Sequence, residues 1–224
     1  MKNSNKIGSL KEKLRQALAS TARAISEDLD YKKIYEKNEE PRNIDFFNLE
    51  NLNNKNDFIR ARAESDSAAL KKKFSNNEIY NKYLPTNSAR KSFYSIAERI
   101  RYESLGARML RGIEKNLIDN YEKKIESKKN NQLNSKEDVQ AIDAFELYML
   151  KYFQNYKMSP LAEKMLNFWE KDFHNGINKH LKYLKENLDS QRKYSLKFSE
   201  ILQDMEIFEN EEDDEIKKEN KDDG

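Results

Sequence analysis

Apolar residues recur at steps of three, four or seven along residues 88–124, the stretch around which the rest of the chain is organised. This spacing places them on one face of an α-helix. Ser88 can serve as the N-cap, and Pro85 disfavours a helix that continues from the segment before it. The pattern therefore predicts a long central helix with an apolar stripe of Ile96, Ile100, Ala107, Leu110, Ile113 and Leu117.

Two residues of this predicted helix are unusual for their positions. Glu103 lies on the apolar stripe, and Gly106 follows inside the same helix. A glycine inside a helix costs up to about 1 kcal/mol relative to alanine, so close backbone packing is expected to offset that cost. A carboxylate on a buried stripe needs a cationic or hydrogen-bonding partner.

Arginines on the central helix can supply that partner, and they are Arg99, Arg101, Arg108 and Arg111. Arg99 stands four residues before Glu103, where side chains meet, although this is the weaker orientation for an ion pair. Two interpretations stay open. Either arginines and carboxylates form a fixed network that shapes a surface for another subunit, or Glu103 lies at the edge of the stripe and reaches water.

Similar stripes predict further helices on both sides of the central one. They cover residues 9–28, with a capping box from Ser9 and Glu12, then 57–74, 79–83, 139–156, a segment that starts at Ser159 and Pro160, 181–188 and 194–208. Asp66 falls on the stripe of the second segment, which also carries Arg60 and Arg62. Two helices thus each place one acid among apolar residues, which favours a buried network between Asp66 and Glu103.

The predicted fold is mainly α, with several helices in one domain over residues 1–208. Few Gly and Pro, against many Lys, Glu, Leu and Ala, favour helix. Residues 31–49 carry β-branched and aromatic side chains around a turn-like segment, which suits a short β-hairpin. Pro41 and the Asn-rich flanks suit an ordered loop equally well.

Charge is unevenly distributed along the chain. Residues 209–224 hold nine acids and three lysines, a net charge of −6, so the rest of the chain carries +8 against a total of +2. With Ile216 as its single apolar residue, this end cannot bury enough surface to fold alone. It is predicted to be an acidic disordered tail or linker, and a role in masking or partner contact is the alternative.

Several classes of functional site are excluded. The five glycines form neither a Gly-x-x-x-x-Gly-Lys-[Ser/Thr] phosphate loop nor a Gly-x-Gly-x-x-Gly motif. His174 and His180 stand six residues apart and do not share a helix face, so they do not form a zinc pair. No catalytic, cofactor-binding or metal-binding residue is predicted. The absence of cysteine, of a signal-peptide pattern and of a long apolar run predicts a soluble, cytoplasmic protein that crosses no membrane.

Four segments resemble one known family. The central AERIRYESLGARMLRGIEKNL is similar to the signature of the CobT subunit of aerobic cobaltochelatase: an Arg, a Glu two residues later, Leu-Gly, then a Met and a Gly-[Ile/Val] before Asn-Leu. STARAISED resembles the N-terminal helix of the family. RARAESDSAALKKKFSN resembles its Arg-Gly-x-x-Asp-Ser-x-Ala-Leu segment, with an Ala in place of the Gly. LDSQRKYSLKFSEILQDMEIF resembles the stretch before its acidic linker.

The resemblance implies a role in a complex. The family works with an AAA+ ATPase subunit and a large corrin- and cobalt-binding subunit to insert Co²⁺ into hydrogenobyrinic acid a,c-diamide in aerobic cobalamin synthesis. ATP, Mg²⁺ and cobalt are implied for that complex and not for this chain, which would hold no active site and serve assembly and coupling. The expected subunit contact lies on the helix with Arg99, Arg101, Arg108 and Arg111, supported by Glu103, Gly106 and Asp66.

The resemblance further implies a C-terminal von Willebrand A domain, whose metal site needs Asp-x-Ser-x-Ser. That motif does not occur in these residues, so the chain is expected to be an N-terminal portion or a shortened relative.

A basic helical module that binds nucleic acid or another acidic partner is the alternative function. The +8 body and clusters such as Lys71-Lys72-Lys73 permit it. Acids are interleaved with almost every basic cluster, however, and no known nucleic-acid motif is present. Self-association into a homo-oligomer also stays open.

Overall fold

A computed structural model describes residues 2–28, 54–128 and 133–208 of the chain. Within these ranges the regular structure is entirely helical, which confirms the predicted mainly α fold. The hairpin predicted near residues 31–49 and the acidic tail of residues 209–224 lie outside the described residues. None of the described helices combines the length and the apolar character needed to cross a lipid bilayer.

The α-helices are α1 (Lys2–Ser26), α2 (Lys55–Phe74), α3 (Asn77–Tyr83), α4 (Ser88–Met109), α5 (Arg111–Glu126), α6 (Ala141–Gln154), α7 (Pro160–Asn167), α8 (Glu170–Ile177), α9 (Leu181–Glu186) and α10 (Gln191–Gln203). Single 3₁₀ turns occupy Lys136–Asp138, Asn178–His180 and Glu206–Phe208. Helix α1 begins seven residues before its predicted cap.

Of the predicted N-caps, Ser159 caps its helix, whereas Ser9, Asp57 and Ser88 lie inside α1, α2 and α4. At α4 the side chain of Asn87 accepts a hydrogen bond from the backbone N–H of Arg90 at 3.0 Å and takes the place of Ser88.

Ser159 accepts a hydrogen bond from the backbone N–H of Ala162, and Pro160 opens α7, as predicted. Helix α2 is capped by Asn54, whose side chain accepts a hydrogen bond of 3.1 Å from the backbone N–H of Asp57. In return, the side chain of Asp57 accepts a hydrogen bond of 3.2 Å from the backbone N–H of Asn54. Asp57 is therefore the third residue of the helix and not its cap, because Asn54 supplies the capping oxygen.

The prediction of one continuous central helix is wrong at a single residue. Leu110 adopts an extended conformation with φ −141° and ψ 116°, and it separates α4 from α5. Its N–H still donates to the carbonyl of Gly106, and its own carbonyl accepts from Ile113, so both helices keep closed terminal turns. The predicted burial of Leu110 is also wrong, because its side chain is 51% exposed.

The chain divides into two compact units. The first consists of Met1–Ser75 and Leu105–Ser127. Its core is built from apolar residues of α1, α2 and α5, and includes Leu18, Ala22, Ile25, Ala63, Leu70, Ile113 and Leu117.

Gly106 packs closely within this first unit, as expected for a glycine inside a helix. A Cβ atom added at Gly106 would lie 2.9 Å from Cγ of Leu70 and closer still to both of its Cδ atoms. Leu70 is fully buried, so its side chain has little room to move away. The cost of a helical glycine is thus offset by the close approach of α4 to Leu70 of α2.

The second unit consists of Asn76–Ser104 and Lys128–Gly224. Its core is aromatic, because Phe93 of α4 lies 4.5 Å from Phe145 of α6 and 4.9 Å from Phe208, measured between ring centres. Phe173 of α8 packs edge-on against Phe145 at 5.5 Å. Such edge and tilted contacts are the arrangements that aromatic pairs prefer.

Candidate functional site

An open cleft of about 520 Å³ lies within the first unit, between α1, α2 and the α4–α5 junction. The wall of the cleft includes Ile25, Arg62, Asp66, Leu110, Arg111 and Asn116. The break at Leu110 shapes one side of the cleft, because it ends α4 and begins α5 at this wall.

Asp66 places a buried carboxylate in the wall of the cleft. Only 1% of the residue is exposed, and its Oδ2 accepts a hydrogen bond of 2.6 Å from Nδ2 of Asn116. Burial raises the pKa of Asp66 above its ordinary value, while the hydrogen bond from Asn116 and the charge of Arg62 oppose that rise. The net upward direction means that ionisation of Asp66 is less favourable in the folded state than it is for a solvent-exposed aspartate.

The rim of the cleft is positively charged. The side chains of Arg62 and Arg111 are exposed, and neither makes a hydrogen bond or a salt bridge within the described residues. A guanidinium group offers five N–H donors in a planar fork that matches a carboxylate or a phosphate. The cleft can therefore receive an anionic group at its rim.

A second polar site, the Glu98 cluster, lies inside the second unit and is closed to solvent. Glu98 and Arg101 are 2% and 0% exposed, and Nε of Arg101 donates to Oε2 of Glu98 at 3.2 Å. Nη1 of Arg101 also donates to the carbonyl of Leu188 at 3.0 Å. On the acid side, Ser195 donates to Oε1 of Glu98 at 2.6 Å and Gln191 to Oε2 at 3.2 Å.

The Glu98 cluster extends to the start of α3. Oε1 of Gln191 accepts from the backbone N–H of Asn76 at 2.6 Å, and its Nε2 donates to the carbonyl of the same residue at 3.3 Å. Both members of the buried ion pair thus have several hydrogen bonds, which is the condition under which such a pair is tolerated. The cluster ties α4 to the start of α10 and to the residue before α3.

The structure separates the four arginines predicted to form one contact surface. Arg101 is fully buried in the Glu98 cluster, and Arg99 pairs with Glu146 of α6. Arg108 and Arg111 are exposed near the end of α4 and the start of α5. Arg101 is therefore not part of a contact surface, because its whole side chain is enclosed.

Glu103 is 2% exposed, which confirms its predicted burial and excludes the alternative that it reaches water. It belongs to the second unit, whereas Asp66 belongs to the first. The proposed network between the two acids, and the pairing of Glu103 with arginine, stay predictions.

Comparison with known proteins places the chain in a family. The model of the family described as cobalamin biosynthesis protein CobT matches residues 9–224. The chain belongs to the CobT family. No curated protein and no solved structure matches it.

Each polar site joins two of the segments that resemble CobT. In the cleft, Asp66 of the Arg-Ala-x-x-Asp-Ser segment meets Asn116 of the central signature. In the Glu98 cluster, Arg101 of the central signature bonds to Leu188, the first residue of the last segment. Each site therefore connects two family-like segments that are far apart in the sequence.

Several residues of these sites were missed from the sequence. Asn116 was part of the signature but gave no sign that its amide meets Asp66, which is fifty residues away. Gln191 and Ser195 lie in a polar segment that carries no recognisable motif. Their hydrogen bonds to Glu98 arise only in the folded chain. The spacing of three residues between Glu98 and Arg101 was the one local signal available.

Proposed function

We propose that this CobT-family chain is a non-catalytic assembly and coupling subunit of an ATP-dependent cobaltochelatase. The complex would insert Co²⁺, its substrate, into hydrogenobyrinic acid a,c-diamide. Membership of the family supports a role in cobalamin biosynthesis. The observation that supports an assembly role most strongly is the open cleft with exposed arginines, formed where two family-like segments meet.

The chemistry of the chain is that of a binding subunit. The sequence has no phosphate loop, and no group of three or more His, Asp or Glu residues in the described ranges could hold a metal ion. Hydrolysis of ATP with Mg²⁺ would therefore fall to the AAA+ ATPase subunit, and corrin and cobalt binding to the large subunit. This chain would connect the two.

Coupling needs an element that moves as a rigid piece. The Glu98 cluster supports that requirement in the second unit, because Arg101 and Glu98 of α4 are tied to Leu188, Gln191 and Ser195. A helix fixed in this way can transmit a displacement without bending at the contact.

Reconstitution from purified subunits tests the proposal. Cobalt insertion is followed by the absorbance of the corrinoid, with ATP present, for each subunit alone, for each pair and for all three together. We expect turnover only when this chain, the ATPase and the large subunit are combined. Turnover by this chain alone, or a full rate in its absence, would overturn the proposal.

A further inference from the structure

Two exposed arginines, Arg62 and Arg111, line the cleft of the first unit, and a third, Arg108, precedes the cleft residue Leu110 by two positions in the sequence. Arg62 lies on α2, Arg108 in the last turn of α4 and Arg111 at the first residue of α5. None of the three makes a hydrogen bond or a salt bridge within residues 2–28, 54–128 and 133–208. Arg62 acts on the charge of the buried Asp66, but no exposed carboxylate of the described residues forms a salt bridge with any of the three arginines. Their charges therefore leave a local excess of positive charge at this surface.

Exposed apolar side chains accompany these arginines. Met109 and Leu110 are 48% and 51% exposed and lie between Arg108 and Arg111 in sequence. Phe58, at 46% exposed, stands one helical turn before Arg62 on the same face of α2. A single exposed apolar residue needs no explanation, but an apolar pair flanked by unpaired arginines has the composition of an interface core.

We infer that this surface, formed by Phe58, Arg62, Arg108, Met109, Leu110 and Arg111 and here called the docking surface, binds an acidic amphipathic segment of a partner protein. The inference deepens the proposed function and rests on it. Carboxylates of the segment pair with the guanidinium groups in two-point hydrogen bonds. Its apolar side chains cover Met109 and Leu110 and enter the cleft.

The composition of the docking surface favours a partner over the acidic end of this chain. Residues 209–224 supply nine carboxylates, which match the arginines, but only one apolar side chain, Ile216. Three large apolar side chains on the docking surface require more apolar contact than Ile216 offers. The occupant is therefore acidic and amphipathic, and not acidic alone.

Fluorescence anisotropy on the full chain tests this chemistry. The probe is a labelled synthetic helical peptide with glutamates on one face and leucines on the other, and matched peptides replace glutamate by glutamine or leucine by serine. We expect the peptide with glutamates and leucines to bind well and both replacement peptides to bind weakly. Arg62→Ala and Arg111→Ala should each weaken binding about tenfold, and Leu110→Ser about fivefold, with losses that shrink as salt is added.

Helix α10 provides matched controls. Arg192 is exposed there without a hydrogen bond or salt bridge among the described residues, and Leu196 is 43% exposed. Arg192→Ala and Leu196→Ser should leave binding unchanged within about twofold. Equal binding of the glutamine peptide, or equal losses in the α10 variants, would overturn the docking surface. So would binding of a free 209–224 peptide as tight as that of the amphipathic one, since charge alone would then suffice.

Binding of the same variants to the purified ATPase and large subunits distinguishes failure of the proposed function from failure of the docking surface. If neither subunit binds the wild-type chain while the peptide still binds in an arginine-dependent way, the proposed function fails and the docking chemistry stands. If a subunit binds the wild type and the arginine variants equally, the docking surface fails and the assembly role stands.

Discussion

The two polar sites of this molecule both contain a carboxylate and an arginine, but they differ in the exposure of the arginine to solvent. In the second unit, Glu98 and Arg101 are closed off from water and bonded to several neighbours. In the first unit, Asp66 is buried with one described hydrogen-bond donor, Asn116, while Arg62 beside it remains exposed. A charge whose partners are all internal serves the fold. A cleft that keeps its cations in solvent retains the capacity to bind.

The largest difference between the sites should appear when the Glu98 cluster is broken. Glu98→Ala leaves the guanidinium of Arg101 buried without its carboxylate, so the free energy of unfolding should fall by about 3–5 kcal/mol. Denaturant titration followed by circular dichroism measures it.

Glu122→Ala on α5 is the control, because Glu122 is exposed and should change stability by less than about 0.5 kcal/mol. Equal effects of Glu98→Ala and Glu122→Ala would mean that the cluster is not a stabilising network.

Two glycines near the cleft should respond to alanine with opposite signs. Gly106→Ala forces a methyl group against the buried Leu70 and should destabilise by about 1–3 kcal/mol. Nothing lies within 4 Å of a Cβ added at Gly112, so Gly112→Ala should stabilise α5 by up to about 1 kcal/mol. Paired thermal unfolding curves compare them, and a shift in the same direction for both would contradict the close packing assigned to Gly106.

Removing the charge of Asp66 should have a smaller effect that depends on pH. Burial raises the pKa of Asp66 in the folded protein, so the folded state binds the proton more tightly than the unfolded state. Ionisation therefore costs stability as the pH rises above the ordinary value of 3.8 and through the raised folded-state pKa. The stability of Asp66→Asn relative to wild type should therefore increase as the pH rises above the ordinary pKa of 3.8.

Denaturant titrations at several pH values measure this difference, with Asp119→Asn on the surface of α5 as the comparison. A relative stability of Asp66→Asn that falls with rising pH would show that Asn116 and Arg62 outweigh burial.

The smallest effect on stability is expected at the rim of the cleft. Arg62→Ala and Arg111→Ala remove exposed side chains that have no salt bridge in the described residues, so each should change the free energy of unfolding by less than about 0.5 kcal/mol. A loss above about 2 kcal/mol in either variant would assign these arginines to the fold and not to binding.

The sequence predicts helices and buried positions because both depend on local spacing. The burial of Glu103 followed from its place on the apolar stripe, and the close packing at Gly106 followed from the cost of a glycine inside a helix. The break at Leu110 did not, because Met109, Leu110 and Arg111 are all good helix formers and the apolar period continues through them.

The sequence also did not predict which residues come together in the two sites. Asp66 and Asn116, or Glu98 and Ser195, are far apart along the chain, and periodicity indicates which residues turn inward but not which ones meet. Four arginines on one predicted helix accordingly looked like one surface, although Arg101 turns into the core and Arg111 faces solvent.

Cobalt insertion by the reconstituted complex, with substitutions in the cleft, is the direct test of whether this cleft joins the chain to its complex. The chain with Arg62→Glu and Arg111→Glu is compared with Arg192→Glu, after equal melting temperatures confirm that both are folded. We expect the cleft variant to lose nearly all of the three-subunit turnover, because its reversed charges repel an acidic partner, and Arg192→Glu to keep that turnover. Full turnover by the folded cleft variant would contradict the claim that this cleft joins the chain to its complex.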